Sequence, residues 1–178
     1  MTDAARFEAF VREYQDMVFA TAVRLLGREA DAEDVAQTVF MRAFERFTEI
    51  GGSPSAAGWL KTVTTNLCLN HLSRYRARWQ FFGDVDDRGG GPALSARLAL
   101  LATAPEELER VERQERLERA LRRLPDHQRV PLALRYFEEM SYQEIAETLR
   151  VSVAKVKSDI HRGREALKKE LSIPHGSG

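Results

Sequence analysis

Apolar positions along this 178-residue chain recur at spacings of three and four almost throughout. Phe7, Phe10, Val11, Tyr14, Val18, Ala22 and Leu25 form one such stripe, and Gly27 closes it, which predicts an amphipathic helix. Val35, Val39, Phe40, Ala43 and Phe47 form a second stripe. Asp31, Glu33 and Asp34 stand at its start, where the helix dipole favours negative charge. Gly51, Gly52, Ser53 and Pro54 then mark a loop, and Ser53 is expected to cap a helix that has Pro54 at its first position. That helix is predicted to run through Trp59, Leu60, Val63, Leu67 and Leu72 to about Trp79.

The periodicity breaks at GDVDDRGGGP, Gly83 to Pro92, a glycine-rich and acidic stretch that reads as a flexible linker. It resumes near Pro105, where Thr103 and Glu106 fit a capping box. Leu108, Val111, Leu117, Leu121 and Leu124 carry a helix to Pro125, and another is expected from about Asp126 to Phe137. No segment alternates as a strand would, and no internal repeat is visible. The expected fold is all-α, with two small helical domains joined by a flexible linker. The expected boundaries are 1–80 for the first domain, 81–112 for an acidic linker leading into the next helix, 113–172 for the second domain and 173–178 for a disordered tail.

Composition changes this picture only through its arrangement. Twenty-seven basic side chains balance 27 acidic ones, so net charge excludes no partner. Yet from Gly58 to Trp79 there are Lys61, Arg74, Arg76 and Arg78 with no acid, a net of +4. Phe81 to Glu112 carries −4, and Arg150 to Lys169 carries +5. Two basic helices are thus separated by an acidic connector. One cysteine, Cys68, excludes an internal disulfide and a cysteine metal cluster, and suits a reducing compartment. No segment approaches the roughly 18 apolar residues of a membrane span. The expectation is a cytoplasmic protein without membrane insertion.

Chemistry is concentrated in the stretch SYQEIAETLRVSVAKVKSDIHR, Ser141 to Arg162. Ser141 and Glu144 form a capping-box pair, so a helix should begin at Tyr142. Ile145, Ala146 and Leu149 form its inner face, and Ala146 permits a close crossing. Arg150 and Val151 form the turn, and Ser152 can cap the second helix. Val153, Val156 and Ile160 are expected to face the core, and Lys155, Lys157, Ser158, His161 and Arg162 to face out. This is a helix-turn-helix layout, whose second helix enters the major groove of DNA. The competing reading is an ordinary helical hairpin with a solvated basic face. Arg150 occupies the turn position where glycine is common, and a positive φ there costs about 1 kcal/mol.

The basic helix of the first domain, from Gly58 to Trp79, combines cations with Trp59, Tyr75 and Trp79. Asn66, Asn70 and Arg74 recur every four residues and share a face. Cations, amides and aromatics together suit single-stranded DNA, though a solvated amphipathic helix has the same pattern. Enzyme chemistry finds no support. His71, His127, His161 and His175 are scattered, no metal-ligand spacing or nucleophile elbow occurs, and Cys68 between Leu67 and Leu69 reads as packing. No cofactor or metal is expected.

Taken in order, FVREYQDMVFATAVRLLG, DAEDVAQTVFMRAF, GWLKTVTTNLCLNHLSR and ALRRLPDHQRVPLALRYFEEMSYQEIAETLRVSVAKVKSDIHRGREAL resemble the extracytoplasmic-function sigma factors (group IV) of the sigma-70 family. The resemblance covers about Phe7 to Leu171. It implies that the first domain is sigma region 2 and the second is sigma region 4. It further implies an alternative sigma factor that binds RNA polymerase core at its clamp and flap regions. Such a factor directs promoter-specific initiation by recognising −35 and −10 elements and promoting DNA melting, and an anti-sigma factor is an expected partner. Residue by residue, it implies core contacts at Asp31, Asp34, Gln37 and Phe40 or its neighbours. Contacts to the −10 element are implied at Lys61, Asn66, Asn70, His71, Arg74 and Arg76, with the loop Ile50 to Ala57 capturing a flipped base. Contacts to the −35 element are implied at Lys155, Lys157, Ser158, His161 and Arg162. The chain departs from the family pattern where Asn70 replaces a frequent aspartate, where Arg150 replaces glycine, and in a somewhat long linker; no extra C-terminal domain is expected.

Two other classes stay open on the residues alone. One is a helix-turn-helix repressor or activator that binds duplex DNA unaided. The other is a helical adaptor whose basic faces meet acidic partners.

Overall fold

The computed structural model describes residues 1–73 and 107–172, and among these it contains helices and no strand. The chain divides into two compact units, Met1–Arg74 and Tyr75–Gly178.

In the first unit α1 spans Asp3–Leu26. Thr2 caps it by accepting the Ala5 N–H at 3.2 Å, and Gly27 ends it in the left-handed region at φ 77°. α2 spans Glu29–Glu45, α3 is the short turn Phe47–Ile50, and α4 spans Ala56–His71. α1 packs on both α2 and α4, and α2 also packs on α4. The stripes read from the sequence supply the core: Val18, Ala22 and Leu25 from α1, Ala32, Val35, Val39 and Ala43 from α2, Leu60, Cys68 and Leu69 from α4. Each large apolar side chain sealed this way contributes about 1.5–3 kcal/mol. Phe47, expected at the end of the second stripe, instead opens α3, with its ring 5.2 Å from Phe7 and 5.4 Å from Phe10.

One boundary differs from expectation. α4 begins at Ala56, not beside Ser53. The Ser53 Oγ is used inside the turn, where it accepts the Ser55 N–H at 3.3 Å, and its carbonyl accepts the Ala56 N–H at 3.1 Å. α4 spans Ala56–His71 with buried Leu72 as its cap, and the expected run on to about Trp79 falls outside the described residues. Residues from 74 to 106, with Arg74, Arg76, Trp79, the GDVDDRGGGP stretch and the Thr103–Glu106 pair, lie outside the described residues, as does the 173–178 tail.

In the second unit α5 spans Glu107–Arg123, so its first residues, counted above with the connector leading into the next helix, are already helical. α6 spans Asp126–Tyr136, α7 spans Tyr142–Leu149 and α8 spans Val153–Ser172. α8 packs on α5, α6 and α7. Leu117, Ala120, Leu121, Leu124, Leu132 and Leu167 form one core cluster. Gly163 lets α8 approach α6: a Cβ there would sit 3.0 Å from Leu132 Cδ1. The Arg123–Glu170 ion pair and the Arg116 bond to the Leu171 carbonyl at 3.3 Å hold α5 to the end of α8.

Candidate nucleic-acid and docking surfaces

The helix-turn-helix is built as its sequence dictates. Ser141 Oγ accepts the Glu144 N–H at 3.1 Å, and Glu144 Oε2 accepts the Ser141 N–H at 2.9 Å, which completes the capping box. Ile145, Ala146 and Leu149 are buried. Arg150 adopts φ 59°, ψ 47°, so the left-handed turn that usually falls to glycine is made by an arginine. The Val151 N–H then bonds back to the Ala146 carbonyl at 3.0 Å, and Ser152 Oγ accepts the Lys155 N–H at 3.1 Å to cap α8.

α8 turns Lys157 fully outward, with Ser158, His161 and Arg162 half-buried around it. Lys155 does not join them. It is 6% exposed, and its Nζ donates to Asp159 Oδ2 at 2.7 Å inside the unit. The expectation that Lys155 faces out is therefore corrected. Positions 155 and 159 flank the apolar line Val156, Ile160, Gly163 and Leu167, and two opposite charges four residues apart satisfy one another there. Val153, expected in the core, is half-buried at the helix start. Burial pushes the Asp159 carboxyl above its ordinary range, against the pull of Lys155, and burial lowers the pKa of nearby His127.

The structure adds two residues that pattern reading missed. The Tyr142 ring has the Arg135 guanidinium 4.9 Å from its centroid and Lys157 Nζ at 5.7 Å, so one ring gathers cations from α6 and α8 beside the start of α7. Arg135 also donates to the Met140 carbonyl at 3.1 Å. The available signal was an aromatic directly after the capping serine.

In the first unit, Asn66 and Asn70 lie exposed on one face of α4, while Lys61 and His71 are half-buried on its flanks. The opposite face is buried through Leu60, Thr64 and Cys68, and Thr64 Oγ1 bonds the Leu60 carbonyl at 2.6 Å. The preceding loop is tied down. Gly51 packs so tightly on Phe47 that an added Cβ would fall 2.6 Å from its ring, Gly52 takes φ 90°, and the Ser53 and Ser55 hydroxyls bond at 2.8 Å.

On α2, Asp34, Gln37, Met41 and Phe44 are exposed at spacings of three and four and form one stripe, with Asp31 and Phe40 half-buried alongside. Met41 is 64% and Phe44 61% exposed. Phe7, Gln37, Phe40, Met41, Phe44 and Glu45 line a shallow groove. Phe44 was not part of the core stripe read from the sequence, which is the signal that it points elsewhere. Among the described residues no group of three or more His, Cys, Asp or Glu could hold a metal ion, and no helix is long and apolar enough to cross a membrane.

Comparison with known proteins falls on the same two units. The family description of sigma-70 region 2 matches residues 10–78, and that of sigma-70 region 4 matches residues 114–167. The chain is 30% identical to the ECF RNA polymerase sigma factor SigW of Bacillus subtilis over 169 residues, covering 95% of this chain and 90% of SigW. It is 35% identical to the ECF RNA polymerase sigma factor SigE of Mycolicibacterium smegmatis, covering 93% of this chain and 62% of that protein. A solved chain from the complex of the sigma factor RpoE with the anti-sigma factor NepR of Bartonella quintana is 19% identical. It superposes with a TM-score of 0.48 over 94% of this chain and 98% of that one. With the paired regions in order and the SigW match nearly end to end, this chain belongs to the extracytoplasmic-function sigma factors of the sigma-70 family.

Proposed function

We propose that the chain is an alternative sigma factor that binds RNA polymerase core, recognises −35 and −10 promoter elements and promotes DNA melting. The observation that carries this reading is the pairing of a complete helix-turn-helix in one unit with an exposed apolar stripe on α2 in the other. A plain duplex-binding repressor has no need for Met41 and Phe44 in water, since exposed apolar patches mark interaction sites.

In this reading Asp31, Asp34, Gln37, Phe40, Met41 and Phe44 meet polymerase. Apolar anchors rimmed by polar groups are the usual centre of such an interface. Lys61, Asn66, Asn70 and His71, with Arg74 and Arg76 beyond the described residues, serve the −10 element. Asn66 and Asn70 offer amides to an unstacked base, and extrusion of that base costs a few kcal/mol that the binding site must offset. Lys157, Ser158, His161 and Arg162 meet the −35 element, with cations toward phosphates and guanine edges. The chain supplies specificity in the cytoplasm and the polymerase supplies the chemistry. An anti-sigma partner that covers Met41 and Phe44 would block docking.

Transcription from a randomised promoter library by core polymerase with this chain tests the reading. Enrichment of two separated elements supports it. A library left unenriched, together with no capture of core, removes it.

A further inference from the structure

Asp159 is an acid set among the residues that read DNA. It lies between Ser158 and Ile160, within one helical turn of Lys157, His161 and Arg162, yet it is only 5% exposed. Its partner Lys155 is equally sealed, and the 2.7 Å bond joins them along one flank of α8. Three charged or titratable groups act on this carboxylate: Lys155 and Arg162 from α8, and His127 from α6. His127 disfavours its own charge through burial, so it is a poor substitute for Lys155 as counter-ion.

A carboxylate without its counter-ion is costly to keep buried, and it turns toward water or takes up a proton. Turned outward here, it would present negative charge to the phosphates that Lys157 and Arg162 are placed to meet. We propose that Lys155 is a positioning residue of the reading helix: its buried ammonium neutralises Asp159 and keeps that carboxylate off the DNA-facing surface. Lys155 thereby serves promoter binding without touching DNA. The inference rests on the proposed role of α8 at the −35 element.

The test uses the full chain bound to core polymerase and a promoter fragment selected with the wild-type protein, at low temperature before melting. Lys155→Met should weaken binding about tenfold, the scale of one well-formed base contact. Lowering the pH should recover part of this loss as Asp159 takes a proton. The double variant Lys155→Met with Asp159→Leu holds no buried charge, and it should return to within about threefold of wild type with the same salt dependence. Should Lys155→Met fail to fold, the double variant carries the comparison alone. A double variant that stays weak, with the slope of log affinity against log salt reduced by about 0.9, would mean that Lys155 touches a phosphate and would overturn the inference. Wild-type affinity in Lys155→Met would overturn it as well. Wild-type holoenzyme that ignores a scrambled −35 element would instead strike the assignment of α8 itself, and the inference with it.

Discussion

His71 Nε2 stands 3.7 Å from Asp31 Oδ2, so the end of α4 meets the start of α2. One residue was expected at the −10 element and the other at polymerase. The structure places the borders of the two proposed surfaces side by side in one unit. Both side chains are more than a quarter exposed, at 28% and 29%, and contacts of this kind contribute about 0–1 kcal/mol. Asp31→Asn should therefore lower thermal stability by no more than a few degrees while weakening capture of core polymerase. Equal loss of both would assign Asp31 to folding alone.

Met41 and Phe44 carry little of the fold. Met41→Ser is expected to leave the unfolding midpoint near wild type. Phe44→Ala loses its edge contact with Phe7, at 5.0 Å between centroids, at a cost of about 0.5–1.5 kcal/mol. Each should reduce affinity for core by about tenfold or more if it is a central anchor. Titration of labelled chain with core measures this directly, and unchanged affinity in both variants would move the docking surface elsewhere.

Arg150 at φ 59° stores local strain. Arg150→Gly should stabilise the second unit by about 1 kcal/mol, the lower end of the left-handed penalty for a residue with a Cβ. Denaturant unfolding of wild type and variant provides the comparison. A less stable variant would show that the arginine side chain contributes more than the strain costs.

Acid should weaken the second unit through His127. Its folded pKa is lowered by burial, so between that value and the ordinary 6.5 the unfolded chain binds a proton that the folded chain does not. Stability is complete above about pH 6.5 and falls as pH drops through this window. Asp159 acts oppositely: burial raises its pKa from 3.8, so its protonation above that value favours the folded state. Denaturant midpoints between pH 7.5 and 5 should decline in wild type and flatten in His127→Gln. An unchanged slope in that variant would place the proton elsewhere.

Much of this was legible in the chain because local rules suffice for it. The capping box at Ser141 and Glu144, the Ser152 cap and the core stripes depend on neighbours within four residues, and the structure reproduces them. Lys155 was misread because hydropathy treats a lysine as outward, whereas a buried acid one turn later can hold it. Ser53 was misread because its hydroxyl had a nearer use in the turn. The gathering of Arg135, Tyr142 and Lys157 needs three helices to meet, and no single helical period encodes that.

The most direct test of the account is a strand-opening footprint on one selected promoter, read with chain alone, with core alone and with both. The account predicts protection at two separated patches and reactive, unpaired bases at the downstream one only when both proteins are present. Lys157→Ala with Arg162→Ala should erase the upstream patch, and Asn66→Ala with Asn70→Ala should suppress the opening while core capture persists. Full protection of duplex DNA by the chain alone, with core adding neither a second patch nor opened bases, would contradict it.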